Sequence, residues 1–253
     1  MLRTHAPEVA DLLARLPVVP IDALVAGEPE EVVGFAEQFA VDVSMISAEQ
    51  RGALVAALGP RTRTFAGRLY VADWAPRARR ALDQLFGDGA DWPGATGEVV
   101  DPWPVLDELW RAIARLRVLD PVTTEVLRLR QARQHNCRIC TSLRSRSALE
   151  AGAAEALYDE IDDYADSSLS TRHRTGLAVV DALVWDPAGL GPALVAQVRA
   201  HYSPAEQVEL VLDLLRNAAN KVAVALGTDE AHVSEGTEVY DVLADGSVVF
   251  GLG

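Results

Sequence analysis

Sulfur is scarce in this chain, which has two cysteines and two methionines among its 253 residues. Aromatic residues make up only 6% of the sequence, and basic residues are so outnumbered by acids that the formal net charge is −14. Such a negative charge opposes contact with nucleic-acid phosphates and with anionic lipid surfaces. We therefore expect no nucleic-acid partner and no membrane partner.

Long apolar runs are also missing, since no uninterrupted apolar stretch approaches the length that spans a bilayer. Arg3, Glu8, Asp11 and Arg15 interrupt the first twenty residues, so no secretory signal is recognisable there. We expect a cytoplasmic location. Apolar residues nevertheless make up 49% of the chain, which is enough to bury a substantial core.

The two cysteines, Cys137 and Cys140, form a CxxC pair. A disulfide across so short a loop removes little entropy from the unfolded chain, so it is a poor structural staple. In a reducing compartment such a pair is more typical of catalysis or of metal binding. Zinc with His135 as a third ligand is a weak alternative, because no fourth ligand is nearby. We expect no metal and no cofactor, and two inert buried thiols remain another alternative.

Around the cysteines, the twenty-four residues 126–149 hold six arginines and no acid. Nearby cations favour a deprotonated thiol, so this positive cluster predicts reactive sulfur and attraction of anions. The alternative is that these arginines pair with the acidic segment 150–166 that follows at once, which would weaken the positive field. The six are Arg128, Arg130, Arg133, Arg138, Arg144 and Arg146.

Helical spacing dominates the sequence, which predicts an all-α fold. Asp120-Pro121 and Ser203-Pro204 are typical helix starts, and Gly227 is a typical helix stop. Alternation on either side of Asp245-Gly246, over 238–243 and 247–250, predicts a short C-terminal β-hairpin. Poor periodicity between residues 87 and 104 suggests a boundary. We divide the chain into an N-terminal helical region (1–100), a helical core with the CxxC pair (101–227) and a tail with the hairpin (228–253).

Two further features bear on the site. Glu125 falls on the apolar stripe of the helix predicted from Pro121 to Gln134, where a carboxylate needs a partner such as an arginine or a thiol. A helix beginning near Cys137 would place Cys140 and Arg144 on one face. On the helix after Ser203, a polar stripe of Asp213, Asn217 and Asn220 is interpreted as its solvent-exposed face, with lining of a thiol cavity as the alternative.

The segment from Glu125 to Cys140, with its glutamate twelve residues before the CxxC pair, resembles the carboxymuconolactone decarboxylase and alkylhydroperoxidase D superfamily. The resemblance is specific over about 119–149. It implies an alkylhydroperoxidase D-like helical bundle that forms a homo-oligomer such as a dimer, trimer or hexamer. It also implies that Cys140 attacks peroxide, that Cys137 resolves the disulfide and that Glu125 relays a proton.

One position departs from that pattern, because Arg144 stands where the family has a relay histidine. A guanidinium cannot act as a base near neutral pH, although it can bind an anion. We therefore predict a thiol-dependent oxidoreductase in which Arg144 and His135 contact the substrate. That substrate would be a small-molecule peroxide, a disulfide or an anionic compound, with a thiol reductant protein as a further partner. The alternatives are a decarboxylase-like lyase or isomerase acting on a carboxylate, and a non-enzymatic redox-sensing oligomer.

Overall fold

The computed structural model describes residues 1–96, 101–185 and 189–251. Over these residues the chain is mostly helical, with one small sheet formed near its C-terminus. Part of the boundary predicted between residues 87 and 104 lies outside the described residues. The helices in chain order are α1 (Leu2–His5), α2 (Pro7–Ala14), α3 (Ile21–Leu24), α4 (Glu30–Val41), α5 (Ala48–Leu58), α6 (Thr62–Phe86), α7 (Trp103–Ala114), α8 (Pro121–Gln134), α9 (Arg138–Ser142), α10 (Arg146–Glu150), α11 (Glu155–Asp159), α12 (Thr171–Trp185), α13 (Pro192–His201), α14 (Pro204–Asn217) and α15 (Asn220–Leu226). Short 3₁₀ turns cover Val43–Met45, Gly59–Arg61, Gly87–Ala90 and Tyr164–Asp166.

Local capping chemistry explains where the central helices begin. The Asp120 carboxylate accepts a hydrogen bond from the Thr123 amide, with Pro121 in the first helical position of α8. Ser203 and Glu206 form a capping box at the start of α14. Both predicted starts are confirmed, and Gly227 ends α15 in the left-handed conformation that glycine adopts without strain.

The core is built around α8 and α14, which pack against each other. Helix α12 covers another side of α8, while α6 and α7 pack on α14. Two buried hydrogen bonds to backbone carbonyls tie these helices together: Gln131 Nε2 donates to Leu214, and the Tyr70 hydroxyl donates to Leu215. Apolar side chains from α1 to α15 meet in one hydrophobic cluster, so helices before and after residue 100 share a core.

The sheet has three strands in the order β1 (Leu143–Ser145), β2 (Glu238–Val242) and β3 (Val248–Phe250). Strands β2 and β3 are antiparallel and turn at Asp245-Gly246, which confirms the predicted hairpin. Strand β1 was not predicted; it pairs in parallel with β2, with Ser145 opposite Tyr240. The hairpin is thereby held directly beside the segment that follows the cysteines.

Candidate functional site

Cys137 and Cys140 are joined by a disulfide, and the two sulfurs differ in accessibility. Cys137 is fully buried in the hydrophobic core, whereas Cys140 is only partly buried. Cys140 also lines a cavity of about 390 Å³, a size typical of small-ligand sites. Only Cys140 is therefore placed to meet a molecule that enters this cavity.

Cys137 is the N-cap of α9, and the Cys140 amide donates to its sulfur over 3.3 Å. The turn into this cap passes through Asn136, which has a positive φ of 52°. The Asp229 carboxylate fixes the same helix end by accepting from the Arg138 amide at 2.9 Å and from its guanidinium. The backbone thus offers a hydrogen-bond donor to the sulfur of Cys137, an arrangement that favours its thiolate when the disulfide opens.

The cavity lies between α7, α8 and α9 on one side and the break between α14 and α15 and the hairpin on the other. Most of its wall is apolar, and the charged groups on it come from four side chains of α7, α8 and α14. The lining residues are Asp107, Trp110, Arg111, Arg128, Ala132, Ile139, Cys140, Leu143, Arg216, Asn217, Ala219, Asn220, Tyr240, Gly246, Ser247, Val248 and Phe250.

The prediction of a helix that continues from Cys137 to Arg144 is wrong beyond Ser142. Helix α9 ends there, and the chain extends through β1 before α10 begins at Arg146. At this helix end, the Thr141 hydroxyl donates to the Arg138 carbonyl and the Ser142 hydroxyl donates to the Ile139 carbonyl. Cys140 and Arg144 therefore lie on different elements and do not share a helix face.

Glu125 is fully buried beneath the cavity and accepts four hydrogen bonds. Arg128 donates to both its oxygens, at 2.6 and 2.8 Å, the Ser145 amide donates at 3.0 Å and the Tyr240 hydroxyl donates at 2.9 Å. The prediction that Glu125 approaches an arginine is confirmed. Its partners show that Glu125 ties α8 to β1 and β2, and two of them, Arg128 and Tyr240, line the cavity.

Arg144 turns away from the cavity, whose described lining does not include it. Its guanidinium donates to both carboxylate oxygens of Glu155, at 2.7 and 2.8 Å, and to the carbonyls of Thr141 and Leu143. It also lies over the ring of Tyr158. These contacts close the loop between α9 and α11, and the side chain does not pair with Glu125.

The predicted positive cluster is largely neutralised by ion pairs. Arg144, Arg130 and Arg133 pair with the acidic segment 150–166, as the alternative predicted. The other three find acids elsewhere: Arg128 pairs with Glu125, Arg138 with Asp229 and Arg146 with Asp241. The hydrogen-bond donor that the described residues offer to a sulfur at this site is therefore the Cys140 amide.

His135 is buried rather than solvated, and the described cavity lining does not include it. Its Nδ1 lies 2.6 Å from the Asn220 Oδ1, its ring packs edge-on against Trp74 and its Nε2 has no partner among the described residues. Burial, together with the nearby Lys221, lowers the pKa of His135 to about 3. The imidazole is therefore neutral at physiological pH and positions Asn220.

The polar stripe on α14 is not a solvent-exposed face. Asn217 and Asn220 line the cavity, where α14 ends and α15 begins, and Asp213 is buried. Burial, with the carboxylate of Glu209 nearby, raises the pKa of Asp213 to about 8. The alternative interpretation of the stripe as cavity lining therefore holds for the two asparagines.

Sequence reasoning missed two functional candidates on the cavity wall. Tyr240 belongs to the hairpin, whose position could not be inferred from its own sequence. Arg216 lies one residue before Asn217 on α14, and a cation next to the polar stripe was the only available signal. Among the described residues, no three His, Cys, Asp or Glu side chains form a cluster able to hold a metal, and no helix has the length and hydropathy of a membrane span.

Comparison with known proteins finds close relatives in one species. The chain is 45% identical over 251 residues to two sequences from Mycobacterium tuberculosis, the uncharacterized proteins MT2376 (strain CDC 1551 / Oshkosh) and Rv2313c (strain H37Rv). In both cases the match covers 93% of this chain and 87% of the relative. No protein-family model and no solved structure matches the chain.

Proposed function

We propose a function for this chain, which belongs to the family of the Mycobacterium tuberculosis proteins MT2376 and Rv2313c. In this proposal the protein is a thiol–disulfide oxidoreductase that cycles Cys137 and Cys140 between dithiol and disulfide. One observation carries the proposal. The CxxC disulfide presents Cys140 to a ligand-sized cavity while Cys137 stays buried at a helix N-cap. Such asymmetry suits a pair in which one sulfur meets the substrate and the other resolves the intermediate.

In the reducing half of the cycle, the thiolate of an external reductant enters the cavity and attacks Cys140. The bond between the two protein sulfurs breaks, a mixed disulfide forms on Cys140, and the electron pair leaves on Cys137. The Cys140 amide, 3.3 Å from the Cys137 sulfur, stabilises that leaving thiolate. A second thiolate of the reductant then attacks its own sulfur in the mixed disulfide, which releases oxidised reductant and leaves the protein with two thiols.

In the oxidising half, the Cys140 thiolate attacks the terminal oxygen of a hydroperoxide, forming a sulfenic acid as the O–O bond breaks and an alkoxide leaves and takes up a proton to become an alcohol. The Cys137 thiolate then attacks the Cys140 sulfur, hydroxide departs and takes up a proton, and the disulfide is restored. The balance is one hydroperoxide and one dithiol giving one alcohol, one water and one disulfide. A substrate disulfide can oxidise the same dithiol by exchange.

Proton transfer into the cavity falls to Tyr240 and Glu125. The Tyr240 hydroxyl donates to Glu125 and its side chain lies on the same wall as Cys140, so it connects the buried carboxylate with the cavity. Burial raises the pKa of Tyr240 above its ordinary value, which keeps the hydroxyl protonated. Arg144 has no part in this transfer, since a guanidinium does not release its proton.

The resemblance of residues 119–149 to the alkylhydroperoxidase D superfamily supports this chemistry. With it we propose the corresponding helical fold and assembly into a homo-oligomer. The mostly helical architecture with a CxxC disulfide is compatible with that fold.

The test is a pair of single-cysteine variants, Cys137→Ser and Cys140→Ser, challenged with the disulfide of a monothiol and, separately, with a hydroperoxide. In Cys137→Ser, the Cys140 thiolate should attack the added disulfide, release one thiol and retain the other as a mixed disulfide detectable by intact mass, because no second protein sulfur is present to resolve it. Cys140→Ser should form no adduct, because Cys137 is buried. Adducts of equal yield on both variants, or wild-type thiols that stay inert to peroxide and to disulfides, would refute the proposal.

A further inference from the structure

Arg216 stands out among the charged residues of the cavity wall. It lies in the last turn of α14, and its side chain lines the same cavity as Cys140. Among the described residues its guanidinium has neither a hydrogen-bond partner nor an ion-pair partner within 4 Å. Burying a guanidinium without a counter-ion costs free energy, because the group loses hydration that no hydrogen bond or ion pair replaces.

The other two arginines on the wall are fully engaged. Arg128 donates to both oxygens of Glu125 and to the carbonyls of Cys140 and Leu143. Arg111 pairs with Asp107 and Asp245 at the rim. Of the three cations that line this cavity among the described residues, Arg216 is the one whose guanidinium N–H groups have no acceptor, so they are available to an anion that enters.

The acid nearest to Arg216 in sequence does little to compensate its charge. Asp213 lies one turn earlier on α14, outside ion-pair distance, and its Oδ2 is buried without a partner. Burial keeps this carboxyl mostly protonated near neutral pH, since its pKa is raised to about 8. Asp213 thus offsets the positive charge of Arg216 only in part, and no ion pair holds the guanidinium back from the cavity.

The rest of the wall indicates what kind of anion fits. Asn217 and Asn220 line the same cavity, so it offers uncharged polar groups in addition to the guanidinium. Trp110, Leu143, Val248 and Phe250 provide an apolar surface in the same cavity. A planar guanidinium pairs with a carboxylate through two parallel hydrogen bonds, while the apolar surface suits a hydrocarbon body.

We infer that this cavity binds a small amphipathic carboxylate, with the carboxylate on the Arg216 guanidinium and the hydrocarbon body on the wall formed by Trp110 and Phe250. The binding site stands on its own; the further step, that such a carboxylate is the substrate that meets Cys140, rests on the proposed function. Under that function, the substrates would be carboxylates with a hydroperoxide or disulfide group that reaches Cys140.

Calorimetric titration of the oxidised wild-type protein with octanoate and with the neutral analogue 1-octanol tests the inference. Octanoate should bind more tightly than octanol. Arg216→Met should weaken octanoate binding by about tenfold or more, as expected for loss of a charge-assisted hydrogen bond, and should leave octanol binding nearly unchanged. Arg80→Met, which removes an equal charge from an exposed position outside the cavity, should retain the wild-type affinity for both.

Equal affinity of octanoate for wild type and Arg216→Met, or octanol binding as tight as octanoate, would overturn the inference. If Arg216→Met does not fold, Arg216→Lys serves instead, because it keeps the charge and loses the two-pronged geometry; undiminished octanoate binding would then count against a guanidinium site. The titrations are repeated on Cys140→Ser, which cannot turn over. Selective octanoate binding there supports the site even if redox activity fails, and redox activity without octanoate binding rejects the site alone.

Discussion

The Tyr240 hydroxyl donates a 2.9 Å hydrogen bond to the Glu125 carboxylate, although 115 residues separate the two in sequence. This bond fastens the C-terminal hairpin to the helix that leads to the cysteines. Since Tyr240 lines the cavity and Glu125 lies beneath it, the same bond is structural and, under the proposed function, part of proton transfer.

Tyr240→Phe removes that hydroxyl and keeps the ring. We expect the free energy of unfolding to fall by about 1.5–3 kcal/mol, because a buried hydrogen bond to a charged group is lost, and reoxidation of the dithiol by peroxide to slow. Tyr164→Phe is the matched control, since it removes a 3.0 Å hydrogen bond from a tyrosine to Asp181 outside the cavity. Urea unfolding and stopped-flow reoxidation measure both effects; equal slowing in the two variants would contradict a role for Tyr240 in proton transfer.

Glu125→Gln leaves Arg128 without its buried carboxylate. We expect a loss of about 3–5 kcal/mol in the free energy of unfolding, as is usual when one partner of a buried ion pair is removed. Hydrogen exchange should also accelerate at the Ser145 amide and along β2, which Glu125 holds through Ser145 and Tyr240. Glu155→Gln, at the exposed partner of Arg144, should cost no more than about 1 kcal/mol. A similar cost for both variants would show that the Glu125 network contributes little to stability.

Gly246→Ala tests whether the hairpin must lie close to α7. Gly246 has φ +82°, and an added Cβ would come within 2.2 Å of the Arg111 carbonyl oxygen, which is backbone and cannot move aside. We expect a loss of more than about 2 kcal/mol and a displaced hairpin. Gly236→Ala is the control, because its φ of +75° is equally unfavourable but its Cβ would meet no atom within 4 Å. Similar unfolding midpoints for the two variants would mean that the hairpin adjusts freely.

The parts of this fold that could be predicted are those encoded locally. Asp120 and Ser203 start helices because each side chain caps amides within three residues of itself, and Asp245-Gly246 turns a hairpin by its own backbone preferences. Strand β1 has three residues and pairs with a strand almost a hundred positions later, so neither its length nor its pattern indicates a strand.

In the candidate site, too, the features encoded locally could be predicted and those set by tertiary packing could not. The CxxC pair and the need of Glu125 for a partner could be recognised, since both follow from residue type and helical spacing. The partners of the arginines could not, because which acid lies beside which arginine depends on tertiary packing: Arg144 finds Glu155, while Arg138 finds Asp229, 91 residues away. Similarly, Arg216 differs from Arg111 and Arg128, the other arginines of the cavity wall, in having no ion-pair partner, which no sequence pattern reveals.

Arg144→Gln separates the two roles that Arg144 has been given. If Arg144 holds a loop through Glu155 and two carbonyls, the variant should lose about 1–3 kcal/mol of stability while the pKa of the Cys140 thiol and its rate of alkylation stay unchanged. A thiolate-stabilising role instead requires slower alkylation and a raised thiol pKa. Iodoacetamide kinetics across pH on the reduced protein distinguish these outcomes, with wild type as the reference.

Acid should destabilise the protein through His135. Its folded-state pKa of about 3 lies below the ordinary value of 6.5, so between these values the unfolded chain binds a proton that the folded chain does not. The contribution of neutral His135 to the free energy of unfolding is fully present above pH 6.5. It is lost as the pH falls toward 3, with a slope approaching about 1.4 kcal/mol per pH unit. Asp213, with its pKa raised to about 8, acts in the opposite sense, since its contribution to the free energy of unfolding falls as the pH rises from about 4 to 8.

The two effects are separated by His135→Gln, which should remove the loss of stability at acid pH and leave the Asp213 effect. Urea unfolding of both proteins from pH 4.5 to 8 measures the difference; parallel stability curves would mean that His135 has the same pKa in the folded and unfolded states and is not held neutral by burial.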